Sequence, residues 1–131
     1  MKAASFTVLA LLWSAPVFAA CPAGQHEMLT VRIYFGLIAD GKQLPDSAWA
    51  DFIARTVTPR FPSGFTVYEA MGQWRDLRTR VIGHEPTRII EVDAPDTREF
   101  RAKVEEVRKI YGARFHQQSV GLLTLPVCGT F

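Results

Sequence analysis

Leu29-Thr30-Val31-Arg32-Ile33-Tyr34-Phe35-Gly36-Leu37 is apolar at every odd position and mixed at every even one. A period of two is the signature of a β-strand with one dry face, and five such side chains contribute about 1.5 to 3 kcal/mol each when buried. The stretch is therefore expected to lie centrally in a sheet. Downstream, Asp40-Gly41 breaks the pattern. Pro45-Asp46-Ser47 offers helix-starting chemistry ahead of Trp49, Phe52, Ile53, Thr56 and Val57, which recur at helical spacing until Pro59.

Phe61-Pro62-Ser63-Gly64 then turns the chain into a β-branched and aromatic run, Phe65 to Trp74, with Gly72 as a candidate bulge. After a turn at 76–79, a return strand is expected in two pieces, 80–84 and 87–93. Pro86 between them argues for a sheet edge or a bulge. Asp96 and Glu99 have capping-box spacing ahead of a second helix, whose stripe is Phe100, Val104, Val107 and Tyr111. Its far side carries Arg101, Glu105 and Lys109 at spacings suited to exposed ion pairs, and Gly112 is a plausible stop. Ser119 to Val127 completes the set. The order strand, helix, strand, strand, helix, strand predicts an α+β, ferredoxin-like βαββαβ sandwich: a four-stranded antiparallel sheet with two helices on one face.

The N-terminus carries an address. Lys2 precedes an apolar run from Ala3 to Trp13, too short for a spanning helix, and small residues lead to Ala19 and Ala20. Residues 1–20 read as a signal peptide, cleaved near Ala19/Ala20, and 21–131 as one domain exported to the periplasm or secreted. Cys21 and Cys128 are the two cysteines. In an oxidising compartment they form a disulfide, and the fold brings them together, because the last strand runs antiparallel beside the first. Such a bridge closes almost the whole domain, worth ~4.7 kcal/mol in the chain-entropy model. The competing reading makes Cys21 the lipid-bearing first residue of an anchored lipoprotein.

Removing 20 of 131 residues leaves 111, enough for one core. Hydrophobic residues make up 48% and charged residues 21%, ordinary values for a globular chain. Without Lys2, 14 bases face 13 acids, so no strong field for nucleic acid or anionic membrane follows. Eleven of the 15 bases are arginine, a residue suited to carboxylate or phosphate recognition and equally a product of codon bias. No repeat, low-complexity tract, phosphate loop, nucleophile elbow or redox cysteine pair is present.

Thr58-Pro59-Arg60-Phe61-Pro62-Ser63-Gly64-Phe65-Thr66-Val67, followed by Gly72-Gln73-Trp74-Arg75-Asp76, resembles a bacterial family of small exported domains of unknown function, number 3574. Arg32-Ile33-Tyr34-Phe35-Gly36 and the closing Gln118-Ser119-Val120 through Cys128 look like the same family's ends. The resemblance supplies a family without a mechanism. It implies export, often by a lipoprotein route.

Helices on one face leave the other open. Alternation places Arg32, Tyr34, Tyr68, Ile89 and Glu91 there, together with Thr124, as a ligand pocket or a sheet-to-sheet homodimer contact. The bland alternative is a solvated sheet. Gln73, Trp74 and Arg75 sit at a strand end, where Trp74 can stack on a ring, Arg75 can clamp a carboxylate and Gln73 can orient either; hairpin-end packing is the plainer account. His84 is a candidate general base that adjacent Glu85 can orient only across a bulge, since neighbours on a strand point to opposite faces. A non-catalytic histidine is the simpler reading. His26, in an expected N-terminal tail, and His116 make no metal-ligand spacing with it, so neither a metal nor a cofactor is implied. Arg60 either caps the first helix or holds a ligand acid; Asp51 and Glu69 have no partner identifiable from spacing.

The leading expectation is a non-catalytic domain that binds a small ligand or an envelope partner through its open face. The alternatives are a small cofactor-free enzyme, with His84 as base and Arg32 or Arg75 holding an anion, and a structural envelope component.

Overall fold

The computed structural model describes residues 20–130. Nearly all of the expected leader therefore lies outside the described residues. β1 (His26–Gly36) pairs antiparallel with both β5 (Ile82–Ala94) and β6 (Gly121–Gly129), and β4 (Thr66–Arg75) pairs with the other side of β5. The sheet order is β4-β5-β1-β6, so the strand with the strict alternation is central, as expected. Leu29, Val31, Ile33 and Phe35 are all buried on one face of it. A short hairpin, β2 (Ile38–Ala39) with β3 (Lys42–Gln43), follows where Asp40-Gly41 breaks the pattern.

Both helices cover the same side of the sheet. Phe35 meets Trp49 and Phe52 of α1 (Asp46–Phe52) at 5.5 and 5.6 Å, and Tyr111 of α2 (Arg98–Arg114) at 4.7 Å between ring centroids. Edge-on aromatic pairs of this kind add to the burial energy. The α+β, ferredoxin-like βαββαβ architecture is thus present. Cys21 and Cys128 are bonded, with Cα atoms 5.5 Å apart at a sequence separation of 107.

Several local expectations are corrected. β5 is one continuous strand in the interior of the sheet, because the Pro86 carbonyl accepts from Leu37 N just past the end of β1. The missing proline N–H therefore falls where the ladder has already run out. Arg80 takes a positive φ of 63°, so the strand starts at Ile82, later than expected. Gly72 makes no bulge, since the register runs evenly from Met71↔Pro86 through Gln73↔His84. α1 continues as a π-helical turn, Ile53–Val57. Its Asp46 makes no cap hydrogen bond and reaches Arg88 at 2.9 Å.

In α2 the cap is Thr97, whose hydroxyl accepts from Phe100 N at 3.1 Å, while Asp96 pairs with Arg101 and Glu99 with Lys103. The expected Arg101/Glu105/Lys109 ladder is replaced by Arg101–Asp96 and Arg108–Glu105. α2 runs past Gly112 to Arg114, and β6 begins at Gly121. His26 opens β1 and is not a tail residue.

Candidate functional site

The middle of the open face is closed upon itself. Arg32 and Glu91, opposite one another on β1 and β5, form an ion pair, and Tyr68 Oη on β4 donates to Glu91 at 3.1 Å. The Arg32 hydrogen bond, ahead of Tyr68, holds the Glu91 carboxyl below its usual range. Thr30 donates to Asp93 one pair further along. With their valences filled by one another, these groups form a polar seam across the strands. Ile89 lies on this face opposite Tyr34 and Tyr68. Thr124 does not, since it pairs with Val31 and therefore faces the helices. Leu123, opposite Arg32, and Leu125, opposite Thr30, take the open positions on β6.

A concavity lies at the end of this face where β1 finishes. Its volume is about 230 Å³, and Tyr34, Trp74, Glu85, Thr87 and Gln117 line it. Glycines on three strands make the space. A Cβ at Gly36 would stand 2.5 Å from Glu85 Oε1, one at Gly72 would stand 2.6 Å from Thr87 Oγ1, and one at Gly121 would stand 3.1 Å from Tyr34 Cβ. Without side chains at these points, the functional groups lie down on the sheet and a hollow remains above them.

Glu85 is half-buried and has no ion-pair partner among the described residues. Desolvation raises its carboxyl above the ordinary value, with the Ile38 backbone amide pulling the other way. From below, Tyr111 Oη donates to the Gly36 carbonyl at 2.7 Å, so the core fixes the floor. Burial, then the nearby Glu85 charge, pushes the Tyr111 phenol well above its usual range.

Three connections converge at this end. Gln118 Nε2 donates to Asp76 Oδ2 at 2.6 Å and Gln118 Oε1 accepts from Leu77 N at 3.3 Å, clamping the β4–β5 turn to the segment after α2. Gln117 Nε2 donates to the Ile38 carbonyl at 2.8 Å. His116 Nδ1 lies 3.0 Å from Asp40 Oδ2, a pair joining residues that both have φ near 50°. Asp76 also accepts from the Thr79 and Arg78 amides, and these bonds, Thr79 first and Gln118 next, bring its carboxyl down to about 2. A second cleft of about 380 Å³ adjoins the first, sharing Trp74 and Gln117 and lined also by Arg78 and His116.

The candidate residues divide accordingly. Tyr34 and Trp74 come together around the pocket, Gln73 borders it between Gly72 and Trp74 while sharing the opposite face with its strand partner His84, and Arg32, Tyr68 and Glu91 form the seam beside it. Arg75 lies opposite Ile82 and His84 opposite Gln73, both on the face away from Trp74 and Glu85. No bulge turns His84 toward Glu85. Arg60 donates to the Thr56 carbonyl at 2.8 Å and pairs with Glu106 at 2.6 Å, so it secures the end of the first helix. Asp51 holds Arg55 and Arg114, and Glu69 sits near Arg88. Among the described residues no three His, Cys, Asp or Glu side chains gather as a metal site, and no helix is long and apolar enough to cross a membrane.

Sequence reasoning treats Glu85 only as a partner for His84 and passes over Thr87 and Gln117. The signal was available, because counting back by twos from Glu91 through Ile89 puts 87 and 85 on the open face.

Solved structures share the fold, phage SAM lyases among them. A phage SAM lyase in complex with S-methyl-5'-thioadenosine superposes with a TM-score of 0.63 at 19% identity, covering 84% of this chain and 87% of that one. A phage SAM lyase in its apo state gives 0.57 at 18% identity, covering 95% and 92%. No curated protein matches the chain. A family model matches residues 30–131, a span that runs from within β1 through β6 and holds every residue of the pocket, and the chain accordingly belongs to the family described as Protein of unknown function (DUF3574).

Proposed function

We propose that this chain is an exported domain that binds a small molecule in the glycine-floored pocket at the end of its open sheet face, without catalysing a reaction. The observation that carries the reading is Glu85: a half-buried carboxylate with no ion pair among the described residues, facing a hollow cleared by Gly36, Gly72 and Gly121. Leaving a carboxylate partly desolvated and unpaired costs stability, a feature of positions held for binding. The family-like segments add support. Arg32 to Gly36 brings Tyr34 and Gly36, Gly72 to Asp76 brings Gly72 and Trp74, and Gln118 ties the last segment to Asp76.

At about 230 Å³ the cavity falls below the roughly 300–1,000 Å³ of pockets that take drug-sized ligands, so a metabolite-sized occupant fits best. Export is supported by the apolar leader after Lys2 and by the Cys21–Cys128 bridge, since disulfides persist in oxidising compartments. A Cys21 sulfur committed to that bridge favours the soluble form over a lipid-anchored one.

The second reading is a cofactor-free enzyme in which Glu85, not His84, exchanges the proton. A raised carboxyl in a pocket suits that role, and the scaffold is shared with an enzyme. Thermal shift of the mature chain against a metabolite library, with Trp74→Ala and Gly121→Val as pocket variants, tests binding. Silence across the library removes it. Incubation with S-adenosylmethionine, followed by chromatography for S-methyl-5'-thioadenosine, tests the chemistry named for the fold neighbours; turnover abolished by Glu85→Gln replaces the binding reading with the enzymatic one.

A further inference from the structure

The pocket's charge and surface narrow its occupant. Its lining contains one ionisable group of definite charge, the Glu85 carboxylate; the remaining polar groups are neutral, and no lysine or arginine is among them. An anion in this pocket would face a carboxylate held by the Ile38 amide alone, with no guanidinium in the pocket's own lining to hold it. A bare metal ion would find a single charged ligand where hard cations gather several oxygens. What remains is a cation that brings its own apolar surface. Trp74 and Tyr34 supply aromatic walls of the kind that attract diffuse positive charge, and a half-desolvated carboxylate gains most from a partner that is itself weakly hydrated.

Taking the pocket as the binding site argued above, we infer that its ligand is a small alkylated organic cation, such as a quaternary ammonium, with its charge against Glu85 and its alkyl groups between Trp74 and Tyr34. The glycine floor fits this occupant. Gly36 lets the Glu85 carboxylate settle at the base, and Gly121 lets Tyr34 lie flat against β6. The neighbouring cleft, reached past Trp74, leaves room for a polar arm on the same molecule.

Isothermal titration of the disulfide-bonded mature chain with tetramethylammonium, choline and acetylcholine tests the inference, with 3,3-dimethylbutan-1-ol as the neutral counterpart of choline. At least one cation binds in the millimolar range or tighter, the neutral alcohol binds at least tenfold more weakly than choline, and Glu85→Gln weakens the cation at least tenfold while melting no lower than the parent. Trp74→Leu weakens it as well, separating the aromatic wall from the charge. No binding by any of the three cations overturns the inference, as does equal affinity for alcohol and choline, or a Glu85→Gln variant that binds as the parent does. If a neutral or anionic compound from the library binds instead and is lost in Gly121→Val, the pocket stands as a binding site and the cation does not. If no compound of any charge binds, both readings fall together.

Discussion

Glu85 works against the stability of its own fold at neutral pH. Its carboxyl is raised above 4.5 by burial, so the folded chain holds that proton more tightly than the unfolded one. The group's contribution is then fully present below the unfolded value and is lost as pH rises through the folded one. Glu85→Gln is accordingly expected to stabilise the chain at neutral pH by up to about 1 kcal/mol, a figure held low because water still reaches the carboxylate. Urea melts read the gain, which shrinks to nothing below pH 4.5; a variant less stable than the parent at neutral pH contradicts the assignment. Gly36→Ala tests the same carboxylate from the other side. The added methyl meets the far end of a flexible side chain, so the fold tolerates it at a cost of about 1 kcal/mol or less while the carboxylate moves and ligand response in thermal shift is lost. At this scale the sequence is a partial guide. Tyr34 and Trp74 are legible from alternation and from their place at a strand end, but Glu85 enters only as a partner for its neighbour His84, and adjacency in sequence means opposite faces in a strand.

Between elements, the turn joining β4 to β5 is held by Asp76, which gathers the Thr79 and Arg78 amides and the Gln118 side chain. Its carboxyl is depressed to about 2 from 3.8, so the restraint is present above 3.8 and is lost as pH falls through 2. Asp76→Ala is expected to speed amide hydrogen exchange at Arg78 and Thr79 while leaving the protection of β1 unchanged. Unaltered exchange at the turn would show that Gln118 and the backbone suffice. Thr97→Ala removes the cap of α2 and is expected to lower stability by about 1 kcal/mol in urea melts, whereas Asp96→Ala removes only an exposed pair with Arg101 and has little effect. The element order was readable because periods of two and of 3.6 separate cleanly here. The boundaries were less so, for a physical reason: Pro86, Gly112 and Asp96 each carry a local preference that tertiary context overrides, through the end of β1, the packing of α2 and the pull of Arg101 respectively.

Over the whole molecule, one covalent closure and one aromatic cluster hold the sandwich. The bridge joins positions 107 apart in sequence, and its loss in a Cys21→Ser, Cys128→Ser double variant is expected to lower stability by about 2–4 kcal/mol, read as a shift in the urea midpoint with the slope checked for changes in the unfolded state. Tyr111 joins that cluster to the floor of the pocket through the Gly36 carbonyl. Tyr111→Phe keeps the ring packing and leaves that carbonyl without its donor, so a loss of about 1 kcal/mol is expected in the same assay. The fold is largely legible at this scale, since the element order leads to one topology and the two cysteines fall where that topology lets them meet.

The bridge also orients the domain. It lies at the His26 end of β1, while the hollow lies at the Tyr34 end. Eight residues of strand separate them, roughly 25 Å at about 3.3 Å per residue. Anything attached ahead of Cys21, whether a purification handle or the surface of a sensor chip, is therefore held at the opposite pole of the molecule. Immobilised in that way, the protein presents its cavity outward to the passing solution.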